Sequence, residues 1–121
     1  MSYRQSIGRW GEQLAAEYLE NAGYRLVERN LHTPYGEIDL VAEQDSMLVF
    51  VEVKVRTNRR FGLPEDAVDQ RKQAHLLAAA QYYISEKHDL SCDWRIDFIS
   101  IERYDRHKPP SITHFENALT Q

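Results

Sequence analysis

Along residues 6–21, apolar side chains recur every three or four positions. Ile7, Trp10, Leu14 and Tyr18 line one face, and the spacing predicts a helix. Ser6 is its expected N-cap and Gly23 its stop, while Gly8, Gly11, Ala15 and Ala16 are small enough to bring it close to a sheet. The period then drops to two. Residues 24–30 predict an edge-like strand and residues 32–36 a loop marked by Pro34 and Gly36. Two apolar runs around the turn-formers Gln44, Asp45 and Ser46 predict a hairpin. These three strands make an antiparallel meander. Helical spacing returns over residues 64–88, where Val68, Leu76, Ala79 and Tyr83 form one row with Leu77, Ala80 and Ile84 beside it; Pro64, Glu65 and Asp66 suit its first turn. Residues 92–101 alternate again, after a crossover long enough for parallel pairing with the central strand. A polar loop over residues 104–110, a short edge strand over 112–115 and a frayed tail over 117–121 complete the chain. The expectation is one α/β domain over residues 1–121 with its core at about 6–101: a mixed sheet, antiparallel meander plus returning parallel strand, flanked by an N-terminal helix and a long central helix.

Strands covered on both faces read as near-continuous Val/Ile/Leu runs, so Asp39 in the first hairpin run and Glu52 and Lys54 in the second need a reason. Side chains alternate along a strand, which puts Glu52 and Lys54 on one face with Leu48 and Phe50, and Val49, Val51, Val53 and Val55 on the other. Any antiparallel register whose facing residue numbers sum to an odd value adds Asp39 to the Glu52 face. A two-residue loop at Gln44 and Asp45, pairing Glu43 with Ser46, is such a register; a slip of one residue sends the carboxylates to opposite faces. Two carboxylates on adjacent strands can hold Mg2+, which favours oxygen ligands and keeps waters that a substrate phosphate can replace. A lysine beside them can reach a metal-bound water or the oxyanion of phosphodiester attack. The bland alternatives are a buried Glu52–Lys54 ion pair or charges on a wet sheet face.

Net charge is −4 and the pI about 5.7, which counts against simple electrostatic binding of nucleic acid and fits weak or structure-selective binding. Arg56, Arg59 and Arg60 cluster after the motif and suit phosphates, and Phe61 either stacks on a base or packs into the core. Lys72 shares the Val68–Leu76 row, as a second phosphate contact or as a snorkelling lysine. Asp97 reads most simply as a partner of Arg95. The single cysteine, Cys92, excludes an internal disulfide and a CxxC zinc site, and the five histidines lack zinc-ligand spacing and read mostly as surface residues. No apolar run reaches membrane-span length and the first residues carry no signal-peptide core, so a cytoplasmic protein that does not meet the membrane is expected.

The motifs GRWGEQLAAEYLENAGYRLVERN, GEIDL, FVEVKVR, FGLPEDAVDQRK and RIDFISIE, in that order over about residues 8–101, resemble the YraN family of uncharacterised bacterial proteins. That family is grouped with the PD-(D/E)XK nucleases, which include restriction endonucleases and Holliday-junction resolvases. The resemblance implies a restriction endonuclease-like core and a nuclease that uses Mg2+ or Mn2+ on DNA, with branched or structured DNA as the candidate substrate. It carries the metal-binding aspartate over to Asp39, the D/E to Glu52, the lysine to Lys54 and the N-terminal-helix glutamate to Glu12. Ile38 stands where the superfamily has Pro. From its helical position Glu12 lies on the flank of the buried stripe, either leaning over the strand ends as a third ligand or solvated like Glu17 and Glu20. Resolvase-like activity would require a homodimer. The alternative, favoured by the acidic balance, is a non-catalytic nucleic-acid- or protein-binding module on the same fold.

Overall fold

The computed structural model describes residues 2–58, 69–87 and 92–119. Its elements run α1 (Tyr3–Asn21), β1 (Arg25–Thr33), β2 (Gly36–Gln44), β3 (Met47–Arg56), α2 (Gln70–Lys87), β4 (Trp94–Glu102) and β5 (Ser111–Phe115). The strands form one sheet in the order β1-β2-β3-β4-β5, with β3 and β4 parallel and the other neighbours antiparallel. This is the mixed-sheet α/β architecture that the hydrophobic pattern predicts. No helix among the described residues is long and apolar enough to cross a membrane.

Helix α1 starts earlier than expected, at a cap built on Ser2 instead of Ser6. The Ser2 hydroxyl accepts the Gln5 N–H at 3.2 Å while the Gln5 side chain accepts the Ser2 N–H at 3.0 Å. That reciprocal pair satisfies two end amides at once. Gly23 ends the helix with φ +95, so that Tyr24 donates to the Leu19 carbonyl at 2.9 Å and Gly23 to that of Glu20 at 3.1 Å. The helix buries Ala15, Ala16 and Leu19 against Leu40, Ala42, Val49, Val51, Ile99 and Ile101 of the sheet.

Gly11 sets how close α1 comes. A Cβ there would collide with Val55 Cγ2, whereas a Cβ at Gly8 meets nothing. Gly11→Ala is therefore expected to cost about 1–3 kcal/mol by overpacking, with part recovered in Gly11→Ala/Val55→Ala. Gly8→Ala should instead gain about 0.5–1 kcal/mol of helix propensity. Urea midpoints of the three proteins check the order.

The first connection is tighter than the predicted loop. β1 continues to Thr33, which pairs with Gly36, leaving only Pro34 and Tyr35 to turn. The Thr33 hydroxyl fastens them, accepting the Tyr35 N–H at 3.1 Å and donating to the Gly36 carbonyl at 2.7 Å. The second hairpin turns at Asp45 and Ser46, one residue later than expected, because Gln44 faces Met47. Both turn residues have positive φ, 51° and 69°, the primed-turn conformation whose twist suits flanking strands. Facing numbers still sum to an odd value.

Helix α2 begins at Gln70, capped by Asp69, whose carboxylate accepts the Lys72 N–H at 2.9 Å. The start expected at Pro64, with Glu65, Asp66 and Val68, lies outside the described residues. Leu76, Ala79, Ala80, Tyr83 and Ile84 cover the second sheet face with Ile38, Val41, Leu48, Phe50 and Ile96. Phe50 meets Tyr83 and Trp94 edge-on, with ring centroids 5.7 and 5.9 Å away.

A polar cluster on the α1 side fastens the end of the chain. Asp97, fully buried, accepts Arg95 Nε at 2.9 Å and the Asn117 N–H at 2.8 Å, and His114 Nε2 lies 2.7 Å away. Arg95 also donates to the Tyr24 hydroxyl at 2.8 Å, and His114 Nδ1 lies 3.3 Å from that of Tyr18. Burial alone would raise the Asp97 carboxyl, but hydrogen bonds from His114, Arg95 and Asn117 hold it below the ordinary aspartate value. The cluster refines one expectation and corrects another. His114 is an exception among histidines expected to lie mostly at the surface, its side chain being 7% exposed. The tail is not frayed through residue 119: the Ala118 N–H donates to Ile96 at 2.8 Å and Leu119 is buried.

Candidate active site

Strand β3 is buried from Leu48 through Glu52 and half-buried from Val53 to Arg56, so Glu52 stands where the core gives out. It is 5% exposed. The ladder between β2 and β3 is regular from the turn to Leu40, which faces Val51. One residue further, the Asp39 carboxylate itself accepts the Val53 N–H at 2.8 Å. A side chain thus bonds an amide of the neighbouring strand just beyond the regular ladder, bringing the first carboxylate beside the second.

The chain is irregular at this point. Ile38 packs in the α2-side core and Leu40 in the α1-side core, although alternation would place them together. On β1, Arg29 faces Leu40 and Leu31 faces Ile38, which leaves Asn30 across from Asp39 with φ 51. Asparagine tolerates this left-handed conformation. Its side chain hydrogen-bonds Glu12, which approaches from α1.

Electrostatics ties the groups together. Burial and then the Asp39 charge push the Glu52 carboxyl up to about 7, against the pull of Lys72 and Lys54. Burial also raises Asp39, although the Val53 N–H, Lys72 and Lys54 oppose the rise. Burial and then Asp39 raise Glu12, with Asn30 opposing. Lys72 Nζ lies 3.3 Å from Glu52 Oε1, while the other oxygen, Oε2, is buried with no hydrogen-bond partner among the described residues. An unsatisfied buried carboxylate oxygen is costly, and beside a second carboxylate it offers a hard oxygen donor to a cation. The pair fits Mg2+ or Mn2+ held by few protein ligands, the remaining positions going to water or phosphate. Among the described residues, no group of three or more Asp, Glu, His or Cys side chains is close enough to form a complete ligand set by itself.

The expected site residues fall into three groups. Asp39, Glu52, Lys54 and Lys72 act on one another electrostatically around β2 and β3, and Glu12 on α1 feels the Asp39 charge. Lys72 is engaged with Glu52. Arg56 follows on the Lys54 side of β3, its Nε buried without a partner among the described residues and its carbonyl accepting the Arg103 N–H at 2.9 Å. Arg59 and Arg60, with Phe61, lie outside the described residues. Two contributors carry no motif, Asn30 and Asp69. An Asn in a polar stretch of strand, and an Asp three residues before a lysine, were the available signals.

A pH dependence follows. The unfolded chain releases the Glu52 proton near the ordinary value of 4.5, but the folded protein keeps it to about 7. Between these values the native state binds more protons, so stability falls as pH rises through the window, by up to about 3 kcal/mol, and levels off above it. Glu52→Gln should flatten that slope and be the more stable protein at pH 8 in EDTA. Urea unfolding of both proteins at pH 5 and pH 8 checks this.

A model of the uncharacterised protein family UPF0102 matches residues 11–101, a span that encloses Glu12, Asp39, Glu52, Lys54 and Lys72. A UPF0102 protein of Syntrophotalea carbinolica is 43% identical over 120 residues, covering 98% of this chain and 96% of the relative. One of Syntrophomonas wolfei is 46% identical over 115 residues, covering 95% and 98%. A third, of Dehalococcoides mccartyi, is 43% identical over 122 residues, covering 98% of each. With its motifs in order and nearly its whole length shared, the chain belongs to the uncharacterised protein family UPF0102, the family its sequence resembles under the name YraN.

Proposed function

We propose that this protein is a divalent-metal-dependent nuclease that hydrolyses phosphodiester bonds in DNA in the cytoplasm, with branched or otherwise structured DNA as the preferred substrate. The observation that carries this reading is the buried Glu52 carboxylate, with one oxygen unsatisfied and Asp39 and two lysines around it. The motif resemblance to PD-(D/E)XK nucleases supports the same assignment. Asp39 and Glu52 would hold Mg2+ or Mn2+, which when bound supplies Lewis-acid activation of water and neutralises charge on the phosphate. Asp39 is fixed by the Val53 N–H, and Glu52 by its burial, so both are oriented before substrate arrives. Lys54 places an ammonium where negative charge grows on the attacked phosphate. Lys72 compensates the buried charge of Glu52, and Glu12, steadied by Asn30, would act on the pair through its charge beside Asp39.

The test is a cleavage screen over linear, flapped and four-way DNA, with and without Mg2+ or Mn2+, together with calorimetric metal titration of wild type and Asp39→Ala. Metal-dependent cleavage and metal binding lost in Asp39→Ala are expected. Absence of both supports the second reading, a binding module that keeps the fold, for which the net charge of −4 is the motivating observation. Preference for four-way junctions would bring in a homodimer, since two strands must be cut symmetrically.

A further inference from the structure

Glu52, Lys54 and Arg56 are alternate residues of β3, so Arg56 lies four residues, roughly 13 Å, beyond the buried carboxylate. There the strand ends in a groove of about 280 Å3 against the first turns of α1. Two arginines, Arg4 and Arg56, are among the residues that line it. Among the described residues neither forms an ion pair, and Arg56 Nε is buried with no hydrogen-bond partner. In a chain where acids outnumber bases, two uncompensated cations at one cavity call for an anionic ligand. Tyr3 stands at the rim, 76% exposed, and Ile7 and Val55 also line the groove. An aromatic ring held in solvent beside a pair of guanidiniums matches a nucleotide, which has a flat face to stack and a phosphate to bind. The volume is just below the range of about 300–1,000 Å3 for small-molecule sites, enough for one such unit.

We propose that this groove, lined by Tyr3, Arg4, Ile7, Val55, Arg56 and Asn58, binds one unpaired nucleotide of a DNA strand, with its phosphate on Arg4 and Arg56 and its base on Tyr3. That the strand is the one cleaved at Asp39 and Glu52 rests on the nuclease reading above. Bases inside a duplex have both faces covered, so the ring of Tyr3 stacks best on an unpaired base and the groove favours substrates with a single-stranded segment beside the scissile bond, such as flaps and overhangs.

Binding is measured by fluorescence anisotropy in EDTA, so that cleavage plays no part, using labelled single-stranded, flapped and blunt duplex oligonucleotides. Single-stranded and flapped DNA are expected to bind about tenfold tighter than blunt duplex. Tyr3→Ala should lose about tenfold on single-stranded and flapped DNA and leave blunt duplex unchanged, while Tyr3→Phe, which keeps the ring, retains affinity. Arg4→Ala should reduce the slope of log affinity against log salt by about one. Equal affinity for single-stranded and blunt DNA, indifference to Tyr3→Ala, or no binding of any oligonucleotide would overturn the proposal. A protein that cleaves nothing with metal yet binds single strands through Tyr3 would sink the nuclease reading and leave the groove standing.

Discussion

Lys54→Ala is expected to slow metal-dependent DNA cleavage by about a hundred- to a thousandfold, the usual cost of removing one preorganised group aimed at transition-state charge. The same substitution should leave calorimetric Mg2+ binding in place, because the proposed ligands are Asp39 and Glu52. It should also move the unfolding midpoint little, since Lys54 is half-buried. Asp39→Ala should separate from it in every respect. It removes a proposed ligand and the acceptor of the Val53 N–H, so metal binding, cleavage and local hairpin order are lost together. The decisive measurement is single-turnover cleavage at saturating metal, where weakened metal binding no longer contributes. Cleavage that survives undiminished in Lys54→Ala would mean that the chemistry lies elsewhere.

Asp97→Ala is expected to cost about 3–5 kcal/mol of stability, the largest loss at any position away from the carboxylate pair. Removing one partner of a buried ion pair strands the other charge. Here Arg95 would keep, among the described residues, the Tyr24 hydroxyl, the Met47 Sδ at 3.6 Å and the distant Glu116, 4.0 Å away, and no close carboxylate, while His114 and the Asn117 amide lose their acceptor. For a chain of 121 residues, about 2.1 cal/mol/K per residue of unfolding entropy converts this into a fall in Tm of roughly 12–20 °C. Thermal unfolding at neutral pH measures it. The sign with pH also follows. The folded carboxyl titrates below the ordinary aspartate value of 3.8, so its contribution is complete above that value and disappears as pH falls through the depressed one. Wild type and Asp97→Ala should therefore converge in acid.

The contrast between these two acids shows what the sequence could tell. Asp39 and Glu52 are anomalous at the level of pattern, charges inside apolar strand runs, and parity placed them together before any coordinates. The turn was misplaced by one residue without harm, because Gln44–Met47 and Glu43–Ser46 registers have the same parity. Asp97 interrupts an apolar strand in the same way, and its pairing with Arg95 is two residues long and therefore readable. Its contacts to His114 and Asn117 are 17 and 20 residues away, set by how β5 folds back on β4, and no local spacing announces them. The start of α1 is hidden for a related reason. Ser2 and Ser6 are both good caps, and only the reciprocal bond with Gln5 decides between them. The irregularity at Asn30 and Asp39 was hidden because a left-handed residue within a strand leaves the apolar pattern almost intact.

That same irregularity, with the register shift between Leu26 and Glu28, shapes how this molecule can meet others. β1 is the outermost strand on its side of the sheet, and a free border of backbone amides invites a foreign strand to zip on. Here the border is broken twice within five residues, at Leu26–Glu28 and at Asn30, and carries Arg25, Glu28 and Arg29. Such interruptions and charges blunt edge-to-edge growth. Any twofold partnership between copies should therefore avoid the β1 edge, and the fold should resist fibril seeding along that flank.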